Sequence, residues 1–137
     1  MTAYEFSADP ARLDVDWVHA ILSTTFWARG RSRATMDAVV AASRNYAMYA
    51  DDGAQVAYAR AVTDGATFAW IADVIVHPDH RRQGLGTRIV DGLMADLERL
   101  GLKRVLLKAS PDGHELYRRA GFDTLDEPET WLGRRLR

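Results

Sequence analysis

The chain has no cysteine, which excludes disulfides, thiolate metal ligands and a cysteine-borne acyl intermediate together. It also has no uninterrupted apolar run near the roughly 18 residues needed to cross a bilayer. Its N-terminus, Met1-Thr2-Ala3-Tyr4-Glu5-Phe6, has no basic patch leading into an apolar stretch, so a cytoplasmic protein that does not associate with membranes is expected. Excess charge of either sign is missing as well. Lys and Arg number 18 against 19 Asp and Glu, and a formal net charge of −1 gives no general pull toward nucleic acid. Arg134, Arg135 and Arg137 are read as solvated charges at the chain end. His19, His77 and His80 have no cysteine or carboxylate at metal-ligand spacing, so no catalytic metal is expected.

What is present fits one domain over residues 1–137, with 47% apolar residues to build a core. The order of elements reads strand, two helices, three strands, helix, strand, helix, strands, an α/β pattern without internal repeats. A first strand is placed at residues 3–7. Helices follow over Val15 to Thr24 and Ser32 to Ala42, with Asp14 and Ser32 as N-caps. Asn45 to Ala50 is a strand, Asp51-Asp52-Gly53 turns into a strand over Gln55 to Val62, and Asp64-Gly65 turns into a central strand over Thr67 to Val76. A long helix over residues 84–100 carries Leu85, Ile89, Leu93, Leu97 and Leu100 on one stripe and ends at Gly101. Lys103 to Lys108 is a further strand, Pro111 opens a helix that Gly121 ends, and short strands near Phe122 to Leu125 and Glu129 to Gly133 complete the sheet.

The densest signal is Val74-Ile75-Val76-His77-Pro78-Asp79-His80-Arg81-Arg82-Gln83-Gly84-Leu85-Gly86-Thr87. An apolar strand runs into a polar turn, and two glycines let the next helix begin with bare amides. Those amides sit at the positive end of the helix dipole and suit a phosphate. Neither Gly-Lys-Ser/Thr nor a third glycine is present, so the Walker A and dinucleotide motifs do not fit. Some thirty residues on comes Leu116-Tyr117-Arg118-Arg119-Ala120-Gly121-Phe122.

These two motifs together resemble the GCN5-related N-acetyltransferase superfamily. Its pyrophosphate signature maps onto Arg81, Gly84 and Gly86, and its Leu-Tyr-x-x-x-Gly-Phe element onto Leu116, Tyr117, Gly121 and Phe122. The resemblance covers Phe68 to Phe122 and implies a mixed sheet, flanked by helices, whose parallel pair splays into a slot for acetyl-CoA. It also implies that Arg81, Arg82, Gln83, Gly84, Gly86 and Thr87 cradle the pyrophosphate. Main-chain N–H groups near Val74 and Val76 would meet the thioester, and Ser110 stands where many relatives have an asparagine on the cofactor arm. Tyr117 would be the general acid. Some relatives carry a Glu-Asp pair on the central strand; here the pair is Ala72 and Asp73, which leaves Asp73 as either catalytic base or structural group, with ordered water as the other route for the proton.

Residues 1–67 carry no comparable signature. Phe26-Trp27-Ala28-Arg29-Gly30-Arg31 concentrates aromatics and cations in a loop, so Trp27, Arg29, Arg31, Tyr46 and Trp70 are the candidate acceptor contacts. They would suit a carboxylate-bearing acceptor with an apolar part. The expected activity is acetyl transfer from acetyl-CoA to a small-molecule or amino-acid-like amine by direct attack in a ternary complex. A protein amine as acceptor, a non-catalytic acyl-CoA-binding module and a homodimer stay open.

Overall fold

Local hydrogen bonds fix the element ends where the side chains foretold them. In a computed structural model, which describes residues 3–136, Asp14 caps α1 (Val15–Leu22) by accepting from the Trp17 amide at 3.0 Å. Ser32 does the same for α2 (Arg33–Ala41) through the Thr35 amide, also at 3.0 Å. Each cap satisfies one of the amides that a helix start leaves unpaired. The Asp51-Asp52-Gly53 turn places Gly53 at φ +88° and links β2 (Arg44–Ala50) to β3 (Gln55–Thr63). Asp64 closes the next turn by accepting from the amides of Ala66 and Thr67, which leads into β4 (Phe68–Val76).

The strands lie in chain order, β1 (Tyr4–Ser7) to β5 (Arg104–Leu106). All neighbours are antiparallel except β4 and β5, which are parallel and joined through α3 (Leu85–Glu98). One core lies between the sheet and α3. Leu85, Ile89, Val90, Leu93 and Leu97 pack on Ala57, Ala59, Ala61 and Ala69, whose small side chains let the helix settle close to the strands. At Gly92 an added Cβ would overlap the Phe6 ring, so β1 reaches the same helix only over a glycine. A second core on the opposite face joins α1 and α2 to the sheet through Val18, Leu22, Met36, Tyr58 and Ile75. No helix among the described residues is long and apolar enough to cross a membrane.

Two expectations are corrected. The strands foreseen near Phe122 to Leu125 and Glu129 to Gly133 are absent: α4 (His114–Arg119) is followed by irregular chain and a single 3-10 turn at Pro128–Thr130. Pro128 has no N–H to give a ladder, and Glu127 before it adopts φ +51°, a left-handed conformation that cannot continue a strand. The strand expected over Lys103 to Lys108 is shorter, because β5 pairs with β4 only at Phe68–Trp70 before the two part.

Candidate active site

The parting of β4 and β5 creates the site. β5 matches β4 from Phe68↔Arg104 to Trp70↔Leu106, so β4 runs on from Ile71 to Val76 with no β5 partner along that edge. On its other edge a bulge sets Asp73 and Val74 together against Ala59, with Asp73 at φ +55°. The extra residue re-aims the side chains. Ala69, Ile71, Val74 and Val76 belong to the α3 side, whereas Asp73 and Ile75 point to the α1–α2 side.

At the end of β4 the chain enters the glycine turn. Arg82 and Gly84 take φ +65° and +73°, and Gly84 occupies the N-cap of α3 without any side-chain cap. The amides of residues 82–87 therefore make no hydrogen bond to another group among the described residues beyond the helix's own pattern. Arg81 Nε donates to the Val76 carbonyl at 3.3 Å and ties the turn to the strand end, while Arg82, Gln83 and Thr87 are exposed. Gly86 lies against α4: an added Cβ would sit 3.4 Å from Leu116. These bare amides, on a helix of fourteen residues, fit a pyrophosphate.

Tyr117 lies on α4, half-buried, with its ring edge-on to Phe122 at 6.0 Å between centroids. Burial pushes its phenol above the ordinary value, which keeps it protonated through neutral pH. It lines a recess of about 200 Å³ with Leu107, Ala109 and His114. Ser110 uses its hydroxyl to accept from the Gly113 amide at 3.3 Å and so caps the turn that precedes α4.

Asp73 is the centre of a network that the sequence does not reveal. Its carboxylate accepts from Trp27 Nε1 at 3.0 Å, Arg31 Nη1 at 2.8 Å and Arg60 Nε at 2.7 Å, with Arg31 Nη2 at 3.5 Å. Burial alone would raise its pKa, but the two guanidiniums outweigh burial and hold it below the usual carboxylate range. A carboxylate with both oxygens engaged and its proton affinity lowered is poorly suited to take a proton from an amine, so the geometry favours the structural reading of Asp73 over the catalytic one. Arg60 was missed because it lies thirteen residues from Asp73, across a hairpin, in a strand of otherwise apolar pattern.

The acceptor candidates separate. Trp27 and Trp70 stay 45% and 40% exposed, the first pinned by its bond to Asp73 and the second on the α1–α2 face of β4. Arg29 is exposed and its side chain has no partner among the described residues. Arg31 is not a free fork, since Asp73 engages it. Tyr46 is corrected outright: it is buried in the α3 core, stacked on Phe6, and its hydroxyl donates to Asp96 at 2.5 Å. The alternation of β2 points it to the face away from Asp73. Among the described residues no three His, Asp or Glu side chains gather as a metal site.

Comparison with known proteins gives four results that bear on this geometry. The profile of the acetyltransferase (GNAT) family matches residues 14–122. A crystal structure from Xanthomonas campestris pv. campestris, described as belonging to the GNAT family of acetyltransferases, superposes with a TM-score of 0.90 at 36% identity, covering 98% of this chain and 94% of that one. Serotonin N-acetyltransferase 2 of Oryza sativa subsp. japonica, a chloroplastic protein, is 40% identical over 70 residues, which are 51% of this chain and 35% of its own length. A Clostridium acetobutylicum protein solved with acetyl-CoA shares the fold at a TM-score of 0.72 and 18% identity, covering 99% of this chain and 97% of its own. This chain spans 35% to 38% of the first curated relatives it matches, little more than a third of their length.

Proposed function

Because the chain belongs to the acetyltransferase (GNAT) family, we propose that residues 1–137 act as one N-acetyltransferase domain that carries acetyl from acetyl-CoA to the amine of a small, amino-acid-like acceptor. The observation that carries this reading is the uncapped start of α3, which follows the stretch of β4 that β5 leaves unpaired. Acetyl-CoA, when bound, supplies the thioester acyl group. The amides at residues 84–87 hold its pyrophosphate, with Arg81, Arg82, Gln83 and Thr87 around them. The free edge of β4 near Val74 and Val76 presents main-chain donors to the thioester arm. Such donors stabilise the oxygen that gains negative charge during attack, each contributing about 3 kcal/mol in favourable cases.

Tyr117 gives its phenolic proton to the departing thiolate, a role its raised pKa allows. The acceptor enters from the α1–α2 side, where Trp27 and Trp70 offer apolar walls. Its amine loses its proton to ordered water, because Asp73 is committed to two arginines. With no cysteine to carry an acyl group, the amine attacks directly while both substrates are bound. The test is thiol release from acetyl-CoA over a panel of amines. Initial rates that vary in an intersecting pattern with both substrates are expected. Saturable binding of acetyl-CoA with no turnover of any amine would overturn the reading in favour of a binding module.

A further inference from the structure

Two buried carboxylates in this fold each engage more than one arginine, and the difference between them is informative. Asp96 on α3 meets Arg44 and Arg99, whose side chains are 42% and 74% exposed, so the surplus positive charge is left in water. Asp73 meets Arg31 and Arg60, whose side chains are only 18% and 15% exposed. One carboxylate cannot neutralise two guanidiniums. A net positive charge therefore remains in a place where water solvates it poorly, and such a charge is costly unless a counter-ion completes it.

The same cluster retains unused donors. Arg60 spends Nε on Asp73 and Nη1 on the Ser43 hydroxyl at 3.3 Å, and its Nη2 has no partner among the described residues. No side-chain nitrogen or oxygen among those residues is both buried and unpartnered, so the spare Arg60 donors open to solvent. Other carboxylates on this face are already engaged: Asp14 caps α1, and Asp16 and Asp37 pair with Arg33. The cluster stands on the α1–α2 side of β4, one residue from Val74 and hydrogen-bonded to the exposed Trp27.

We propose that Arg60 and Arg31, held apart and oriented by Asp73, form an anion-binding subsite of the acceptor slot, so that the acceptor carries a carboxylate or phosphate group beside its amine. Asp73 is here a positioning residue: it fixes the forks, and the acceptor's anion takes the donors it leaves. This assignment rests on the acetyl-transfer reading above and narrows its acceptor class. It also moves anion recognition from the exposed Arg29 to Arg31 and Arg60, the two arginines that Asp73 engages.

The test uses matched acceptors: an α-amino acid against its amide, and an amino alcohol against its phosphate ester. The anionic member of at least one pair is expected to show a kcat/KM roughly 10-fold or more higher, mostly through KM, as charge-assisted hydrogen bonds at a partly desolvated site should give. Arg60→Gln should collapse that ratio toward unity, and Arg60→Lys, which keeps the charge without the fork, should restore part of it. A purely structural arginine would depress both members equally and leave the ratio intact. Should Arg60→Gln fail to fold, the parent alone decides: inorganic phosphate should inhibit competitively against the anionic acceptor. Turnover of the neutral member at equal efficiency would overturn the subsite alone, and inhibition by phosphate against acetyl-CoA only would do the same. Failure of every amine to turn over would overturn the acetyl-transfer reading and the subsite with it.

Discussion

Replacing Asp73 by asparagine keeps the size and shape of the side chain but removes the charge that two buried guanidiniums share. Breaking a buried ion pair from one side costs about 3–5 kcal/mol, because the surviving charge stays desolvated. Asparagine retains one carbonyl oxygen for an arginine or for the Trp27 indole, so the lower figure of about 3 kcal/mol applies. Asp73→Ala loses that acceptor too, and alanine is strained by about 1–2 kcal/mol at the φ of +55° that aspartate tolerates. Its expected cost rises to about 4–7 kcal/mol, which approaches the whole stability of a typical domain. Urea unfolding followed by tryptophan fluorescence reads the difference: with a slope of about 1–3 kcal/mol per molar, asparagine should lower the midpoint by about 1–3 M. Adding Arg60→Gln to Asp73→Asn should recover part of the loss, since one of the two stranded charges goes. The pH dependence has a defined direction. Asp73 is held below its unfolded value, so its contribution is complete above that value, near pH 4, and disappears as pH falls through the lower folded value. The parent should therefore lose stability on acidification more steeply than the asparagine variant. A midpoint shift under about 0.3 M, with kcat down 10²-fold or more, would refute this reasoning and make Asp73 the general base.

Tyr117→Phe removes one oxygen and keeps the ring against Phe122, so kcat should fall roughly 10²-fold while calorimetry shows little change in acetyl-CoA affinity. Because burial raises the Tyr117 phenol, the parent's alkaline limb should lie above the ordinary tyrosine value of about 10 and vanish in the variant. At Gly84 an added Cβ meets nothing within 4 Å, so Gly84→Val should cost only the left-handed strain of about 1–2 kcal/mol in stability yet abolish measurable acetyl-CoA binding by calorimetry. Asp96 sits at a pKa of about 2, where burial is outweighed by bonds from Arg44, Tyr46 and Arg99. Its contribution at neutral pH, about 2 kcal/mol, should be lost between about pH 4 and pH 2, and Asp96→Asn should flatten thermal stability over that interval.

What could be read from the sequence was what neighbouring residues decide among themselves. Asp14 and Ser32 cap helices whose first turns they nearly touch in the chain, Gly84 stands where a helix must begin without a side chain, and Leu85 to Leu97 repeat at helical spacing. The parting of β4 from β5 is already different in kind, since no periodicity in either strand says where their pairing stops. The acceptor side depended on partners far apart in the chain. Asp73 looked like a lone carboxylate in an apolar strand, and only the α1–α2 loop folding over the sheet brings Trp27 and Arg31, forty-six and forty-two residues away, onto it. Tyr46 was misplaced for the converse reason: an aromatic residue before the hairpin carries no mark of which face it will take, and the partner that receives its hydroxyl, Asp96, comes fifty residues later. A bulge decides the face that Asp73 takes. By adding one residue to β4 at Asp73, it puts Ala72 and Asp73 on the same side and returns Val74 to the other, so the strand presents a charge network to one face and the Val74 side chain to the α3 core on the other. A regular strand would have alternated through this point and sent Asp73 into the α3 core, where neither arginine could reach it. The positive φ at Asp73 is therefore the local strain that makes a two-sided site possible, and the ion pairs to Arg31 and Arg60 are what hold it in place.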